Sequence, residues 1–444
     1  MATSKENVPH GRPRWHVLLL SLILVSGAGV VVPGQVQLDV CGCRNNPITL
    51  GNFDTADPAT YPAGTTFPTI NVMNIPLPAD GVMVFSSMNL RERPQWFAYG
   101  LTINFLHNAA NTPVTLLVSG NVTIGTRVVV NVSGEQAANG SVNALGKGGL
   151  GGPGGFRGGD GAYMLVNFAN LGGTGLGPGG GAGGFDSYRA NGHGAGATFL
   201  GAPDLLPLVG GSGGGGGAST AISPGCAGGG GGGGGGALLM AANGTITVDG
   251  QIVADGAASG VMGSADCASS GGGGSGGAVR LLATTIAGGG QVYARPGSGQ
   301  YSQLLAQAGS IRLEALNIDL TVGQTTPLAT RAAGPGPIVN PITPTVAITT
   351  VGGQTVPSPP SGSTGAIDLV LSAPGQTAVG LTTSGVPSGT TVDVTVKPRV
   401  GGAPVKTPVT LSNCDANGTC LASATFDLAA GAYFVEARAT FTRP

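Results

Sequence analysis

Charged and aromatic residues are scarce in this chain. They make up 9% and 5% of its 444 residues, and the formal net charge is -1. Nucleic acids and anionic membranes are bound by clustered Lys and Arg side chains that neutralise phosphate, so the sequence argues against both as partners. We therefore expect a surface built mainly from Gly, Ser, Thr, Asn and backbone groups.

Glycine, in contrast, is abundant and unevenly distributed. Residues 141–300 hold 56 of the 85 glycines, whereas glycine averages about 7% of residues in proteins. The longest tract is the run of nine at 228–236, which directly precedes the strand-like sequence ALLMAANGTITVDG. Ordering such a run costs much conformational entropy, so it is either a flexible loop or a stacked part of the fold. Collagen is excluded because glycine does not recur at every third residue.

The first residues, 1–34, have the pattern of an export signal. A leader with Lys and Arg residues precedes the apolar run 17–32. Cleavage after Ala28 fits the small-residue rule, and a site nearer Gly34 is the alternative. An uncleaved anchor is the competing interpretation, although the run is short for a span of about 20 residues. We expect a secreted or cell-surface protein with no membrane span after cleavage.

The six cysteines, an even number, suit an oxidising compartment. Cys414 and Cys420 enclose the turn-forming sequence DANGT and are the first candidates for a disulfide. Cys226 and Cys267 each lie beside a glycine tract and are candidates to join two loops.

Metal and cofactor motifs are weak throughout. The Cys41-Gly42-Cys43 sequence lacks a second cysteine pair at zinc-ligand spacing, and the histidines lie elsewhere. Asp160 is the nearest approach to a calcium-binding glycine repeat, but its spacing is wrong and it occurs once. We predict no metal and no cofactor.

The rest of the chain divides into four regions. Residues 35–80, rich in Pro, Thr and Asn, are predicted to form an irregular N-terminal cap. Residues 81–330 combine short apolar runs with glycine tracts, and residues 331–344 form a Pro/Gly linker. Residues 345–444 return to an ordinary composition.

A repeat is present in the glycine-rich region. Similar apolar runs begin at Pro113, Ala237, Ala278 and Ser310, and the glycine tracts enter between them. Recurring short strands with insertions at one corner predict a β-solenoid, in which each coil buries its apolar face against the next. A strand-rich sandwich with flexible loops is the competing fold.

Seven short runs at regular spacing follow the linker, and several alternate apolar and polar residues. They are TVAITTV, AIDLVLS, TAVGLTT, TTVDVTVKP, TPVTLS, SATFDLA and AYFVEARATFT. This pattern predicts a separate immunoglobulin-like β-sandwich at 345–444.

A carbohydrate-active β-helix enzyme, either a polysaccharide lyase or a glycoside hydrolase, is the main alternative function. Gly192-His193-Gly194 matches one motif of a polysaccharide-cleaving hydrolase family, which makes His193 the catalytic candidate. The family's Asp-Asp motif is missing, however, and the acidic residues of the repeats are never adjacent. Hydrolysis needs two carboxylates on either side of one bond, so we expect a non-catalytic protein.

The glycine tracts at 210–217, 228–250 and 271–283 resemble those of glycine-rich, adhesin-like β-helical proteins that bacteria secrete or display. The resemblance covers about residues 80–330 and concerns the alternation of glycine tracts with apolar runs rather than a catalytic motif. It implies an exported, right-handed parallel β-helix with a structural or adhesive role at the cell surface or in the extracellular matrix. Surface polysaccharide or another matrix component is the implied partner, and no site residues are implied.

Overall fold

The regular structure of the described residues consists of β-strands and short 3-10 helices at Pro58–Thr60 and Val322–Gln324, with no α-helix. The computed structural model describes residues 38–43, 50–93, 100–141, 144–162, 171–185, 192–219, 227–262, 268–300, 305–338, 344–358, 360, 367–399, 403–415 and 418–441. The predicted export signal lies outside these residues, as do Cys226 and Cys267. Residues Leu38–Pro444 belong to one compact unit.

The strands fall into two groups along the chain. The first group is β1 (Asn52–Asp54), β2 (Thr66–Thr69), β3 (Val72–Pro76), β4 (Val82–Phe85), β5 (Ser87–Leu90), β6 (Leu101–Leu106), β7 (Val114–Val118), β8 (Val122–Ile124), β9 (Val128–Asn131), β10 (Ala237–Ala242), β11 (Thr245–Val248), β12 (Gln251–Val253), β13 (Ala278–Ala287), β14 (Gln291–Tyr293), β15 (Ser310–Ile318), β16 (Thr325–Thr326) and β17 (Thr330–Ala333). The second group is β18 (Thr345–Val351), β19 (Gln354–Thr355), β20 (Gly375–Ser384), β21 (Thr391–Pro398), β22 (Val405–Thr410), β23 (Asn413–Cys414), β24 (Thr419–Leu428) and β25 (Tyr433–Ala439).

The first group forms two sheets in which neighbours are parallel, apart from the antiparallel pair β2 and β3. Sheet I has 10 strands and sheet II has 7. The chain visits them alternately: β7 and β8 lie in sheet I and β9 in sheet II, and the next pass repeats this with β10, β11 and β12. Each pass therefore adds one layer to both sheets.

The register of sheet I agrees with the sequence repeat. Leu238 lies opposite both Val114 and Val279, and Val279 lies opposite Ile311. These are the positions at which the apolar runs of the sequence align. Their side chains point into a core enclosed by the two sheets, where Leu238, Val279 and Ile311 are almost fully buried.

Two regions near the ends of this core differ from the sequence prediction. The predicted irregular cap contains β1, which pairs with β5, and the β2–β3 hairpin. Part of the predicted linker forms β17, which pairs with β15. The apolar patterns there are only two to five residues long, so the sequence alone does not distinguish them from loops. In the folded protein a neighbouring strand pairs with each segment and stabilises it as a strand.

The second group of strands forms two antiparallel sheets that share one core. Sheet III has 5 strands and sheet IV has 3. Val379 of sheet III and Val392 of sheet IV are both 0% exposed and belong to the same apolar cluster. The segment AIDLVLS is the exception among the seven predicted runs: its described residues 367–372 lie outside any strand, and Ile367 is 72% exposed. Alternating apolar residues favour a strand only where a neighbouring strand is free to pair.

Candidate binding surface

Twelve glycine-rich segments of the described chain lie side by side and are joined by backbone hydrogen bonds. They connect the strands of sheet II to the following strands of sheet I. The segments are 132–140, 144–152, 153–162, 171–177, 178–185, 192–200, 210–219, 227–236, 254–262, 268–277, 294–300 and 305–309. We call them together the glycine bundle.

Segment 227–236 is bonded to neighbours on all sides. Its successive N–H groups point to three different segments: Gly231 donates to Gly159 at 2.8 Å, Gly232 to Gly272 at 2.9 Å and Gly233 to Glu135 at 3.2 Å. Its carbonyl groups accept from three more segments: Gly231 from Gly149 at 2.9 Å, Gly232 from Gly214 at 2.9 Å and Gly233 from Ala257 at 2.8 Å. A three-residue period of this kind is typical of an extended threefold helix such as polyproline II.

Segments 210–219 and 268–277 are surrounded by six bonded neighbours in the same way. These three inner segments contain the glycine tracts 210–217, 228–236 and 271–277 that stand out in the sequence. Glycine positions in them leave no room for a side chain; for example, a Cβ atom on Gly231 collides with the carbonyl oxygen of Gly214. The run of nine glycines is therefore an ordered, buried part of the bundle and not a flexible loop.

Sheet II and three outer segments of the bundle form one continuous face. Strands β9, β12 and β14 run on directly into segments 132–140, 254–262 and 294–300. These segments remain bonded to one another, because the Gly134 N–H donates to Asp255 at 2.9 Å and the Gly256 N–H donates to Arg295 at 2.9 Å. We call this surface the sheet II face.

A row of amide side chains crosses the sheet II face. The Asn104 side chain donates to the Asn74 oxygen at 3.0 Å, and the Asn131 side chain donates to the Asn104 oxygen at 2.8 Å. Val253 and Tyr293 continue the row on the next two strands. The parallel register places these side chains one strand spacing apart, about 4.8 Å.

Arg295 is an exposed planar group beside this row. Its guanidinium carbon lies 4.1 Å from the ring centroid of Tyr293. Its Nε donates to Asp255 Oδ2 at 2.9 Å, and this hydrogen bond is the main cause of a raised pKa for Arg295. The Arg295 side chain is nevertheless 48% exposed. The stacking and the ion pair hold a cationic plane open to solvent.

A second charged cluster, on sheet I, is buried. Arg280 Nε donates to Glu314 Oε1 at 2.8 Å, and Arg312 Nε donates to the same oxygen at 2.6 Å. The Gly336 N–H donates to Glu314 Oε2 at 2.7 Å. Burial raises the pKa of Glu314, but the bonds from Arg280 and Arg312 outweigh it, so this pKa lies below its ordinary value. Glu314 is 1% exposed, which makes it unsuitable as a catalytic acid on an open surface.

Charged residues also join the antiparallel sheets to the glycine bundle. Lys397 Nζ donates to the carbonyl oxygen of Gly175 at 3.1 Å and pairs with Glu436 at 2.8 Å. Arg399 Nε donates at 2.8 Å to Asp160, which is 1% exposed and also pairs with Arg157. Asp160 is therefore part of a structural contact and has no calcium-binding geometry.

His193, the catalytic candidate from the sequence, lies in segment 192–200 of the bundle. Its Nδ1 accepts a hydrogen bond from the Ser270 N–H at 3.1 Å. Burial lowers its pKa, because the imidazolium form loses hydration. His193 thus bonds to an inner segment. Three acidic residues of the repeats are engaged elsewhere: Asp249 with Gly289, Asp255 with Arg295 and Glu314 with Arg280. Asp266 lies outside the described residues.

Two disulfides are present among the described residues. One joins Cys414 to Cys420, the pair expected from the sequence. The other joins Cys41 to Cys43. The Cys41 N–H donates to the Asn243 side chain at 2.9 Å, so the Cys41–Cys43 segment is held against the outer side of sheet I. The sequence did not indicate this structural role for Cys41 and Cys43.

The described part of the chain contains no group of three or more His, Cys, Asp or Glu side chains arranged to hold a metal ion. It also contains no helix of the length and hydropathy needed to cross a bilayer. Comparison with family models, with curated proteins and with solved structures gives no match.

Proposed function

We propose that this protein is an exported, non-catalytic structural or adhesive component of the cell surface or extracellular matrix. The observation that carries the proposal is the backbone hydrogen bonding of each of the three inner glycine segments to six neighbouring segments. Their cohesion comes mainly from backbone groups, so the many surface positions of the bundle and sheets are free to present polar side chains. A scaffold with that organisation suits display better than catalysis.

We propose further that sheets I and II together form a right-handed parallel β-helix, and that sheets III and IV form an immunoglobulin-like sandwich. The parallel register from layer to layer supports the first assignment, and the shared core of two antiparallel sheets supports the second. In this interpretation the adhesin-like resemblance of the glycine tracts reflects common architecture. The enzyme alternative has no specific observation in its favour, since His193 bonds to a bundle segment.

The test is to purify the full chain and to measure its retention on whole bacterial cells and on extracted matrix, beside a screen for polysaccharide degradation. We expect retention without degradation. Release of reducing ends or unsaturated products, with no retention, would replace the proposal by the enzyme alternative. Amino-terminal sequencing of chain recovered outside the cell would test export and locate the cleavage site.

A further inference from the structure

We propose that the sheet II face binds an extended, uncharged polysaccharide, with Arg295 and Asp255 as the central hydrogen-bonding groups and Tyr293 as a positioning residue. This inference rests on the proposed adhesive function and names its ligand class.

The charge of the face favours a neutral ligand. The Arg295 and Asp255 charges cancel in their ion pair, and the neighbouring strands present uncharged Asn, Gln, Thr and Val side chains. Glu135, farther along segment 132–140, is exposed and adds a negative charge. An anionic polymer would meet this charge without a cationic patch to offset it.

The amide row supplies hydrogen-bonding capacity at a regular spacing. Each Asn side chain has two N–H donors and an oxygen with two lone pairs. The bonds between Asn74, Asn104 and Asn131 use one donor or one lone pair at each contact. The Asn131 oxygen also accepts from the Ser133 N–H at 3.1 Å. The donors and lone pairs that remain suit sugar hydroxyls, which both donate and accept.

Arg295 provides a planar contact in the same area. The Arg295 guanidinium carries N–H donors besides those bonded to Asp255. The ring of Tyr293, which it stacks on, fixes its orientation. A guanidinium paired with a carboxylate offers both donors and acceptors to adjacent hydroxyl groups. Removing the Tyr293 ring would leave the same groups present but less well oriented.

The extent of the face favours a polymer over a small molecule. Strand β9 and segment 132–140 continue each other without interruption, and at about 3.1–3.3 Å per residue they span about 40 Å. Small ligands are bound in concave pockets that bury most of their surface. A long, open and polar face fits a chain that makes many modest contacts.

The experiment measures binding of the full chain to hydroxyethyl cellulose and dextran, by affinity electrophoresis and titration calorimetry, with polygalacturonate as the anionic comparison. Binding to at least one neutral polymer is expected. Arg295→Ala should weaken binding by about tenfold or more, which corresponds to about 1.4 kcal/mol. Tyr293→Ala should weaken it in the same direction, whereas Tyr293→Phe, which keeps the ring, should retain it.

The matched control is Asn317→Ala, because Asn317 is an exposed amide of sheet I, away from the face. Melting temperatures of all variants are compared to exclude unfolding. Equal binding by wild type, Arg295→Ala and Tyr293→Ala overturns the assignment of the face. Retention on cells without binding to either neutral polymer overturns the ligand class but leaves the adhesive function intact, and so does a preference for polygalacturonate. Absence of retention on cells overturns both the ligand class and the adhesive function.

Discussion

The backbone N–H of Gly231 donates a hydrogen bond to the carbonyl oxygen of Gly159, 2.8 Å away, although the two glycines are far apart in the sequence. The pair joins an inner segment of the glycine bundle to an outer one, and contacts of this kind recur at every third residue. Since a buried N–H without a partner costs free energy, these bonds make the bundle sensitive to any side chain that separates its segments.

Gly231→Val and Gly233→Val are expected to destabilise the fold by more than about 3 kcal/mol, because each new side chain collides with a backbone carbonyl of a neighbouring segment. Denaturant unfolding measures the loss. Gly289→Val is the matched control, since a Cβ there meets nothing within 4 Å. Equal stability of Gly231→Val and Gly289→Val would contradict the bonded bundle.

Glu314→Gln is expected to destabilise the protein by roughly 3–5 kcal/mol, because it leaves the buried guanidinium of Arg280 without a countercharge. Chemical denaturation of the variant tests this. Asp255→Asn serves as the comparison: its partner Arg295 is 48% exposed, so the change should lower stability by no more than about 1 kcal/mol. Similar losses for the two variants would mean that burial does not govern the Glu314 cluster.

The same cluster predicts a pH dependence. The pKa of Glu314 is lower in the folded protein than in the unfolded chain, so the unfolded chain takes up the proton first as the pH falls. The stabilisation is complete above the unfolded pKa of about 4.3 and is lost as the pH falls through the lower folded value. Melting temperatures of wild type and Glu314→Gln, followed against pH, should converge at acid pH. A constant difference would refute the assignment.

Lys397→Ala is expected to loosen the contact between the antiparallel sheets and the glycine bundle. Lys397 is 8% exposed and reaches Gly175 and Glu436, whereas Lys406, in the neighbouring strand, is 58% exposed and pairs with Asp393 at the surface. Hydrogen exchange of residues 171–177 should accelerate in Lys397→Ala and stay unchanged in Lys406→Ala. Identical exchange in both variants would show that Lys397 does not secure the contact.

The disulfide between Cys414 and Cys420 closes a short loop. Replacing both cysteines by Ser should lower stability by about 2 kcal/mol, the loss expected for so short a loop from the entropy of the unfolded chain. The measurement is thermal unfolding of this double variant beside wild type. A change within error would indicate that the turn at 415–419 forms equally well without the bond.

The layer-to-layer register was predictable from the sequence, because Leu238, Val279 and Ile311 occupy the same position in equivalent apolar runs and a parallel stack places equivalent residues opposite each other. The stacking of the glycine tracts was left open between order and flexibility. What the sequence did not predict depends on contacts between distant residues. Arg280 meets Glu314 only because β13 and β15 are neighbours. Residues 367–372 have a strand-like pattern but are not assigned to any strand.

The candidate face was predictable only in its chemistry. The scarcity of charge predicted a neutral, polar surface, but no local pattern identified Asn74, Asn104 and Asn131 as one row, since each lies on a different pass of the chain. Tyr293 and Arg295 had no distinguishing sequence motif. Their significance comes from the ion pair and the ring contact, which depend on the stacking of β12 beside β14.

The three-residue period of the inner segments also constrains how their length can change. Each residue of segment 227–236 faces one of three directions in turn, so inserting or deleting a single glycine would rotate every later N–H by about 120° toward the wrong neighbour. Three added glycines would instead restore the directions and lengthen the segment by about 9 Å. An inner glycine tract can therefore change length and keep its backbone hydrogen bonds to the same neighbours only in steps of three residues.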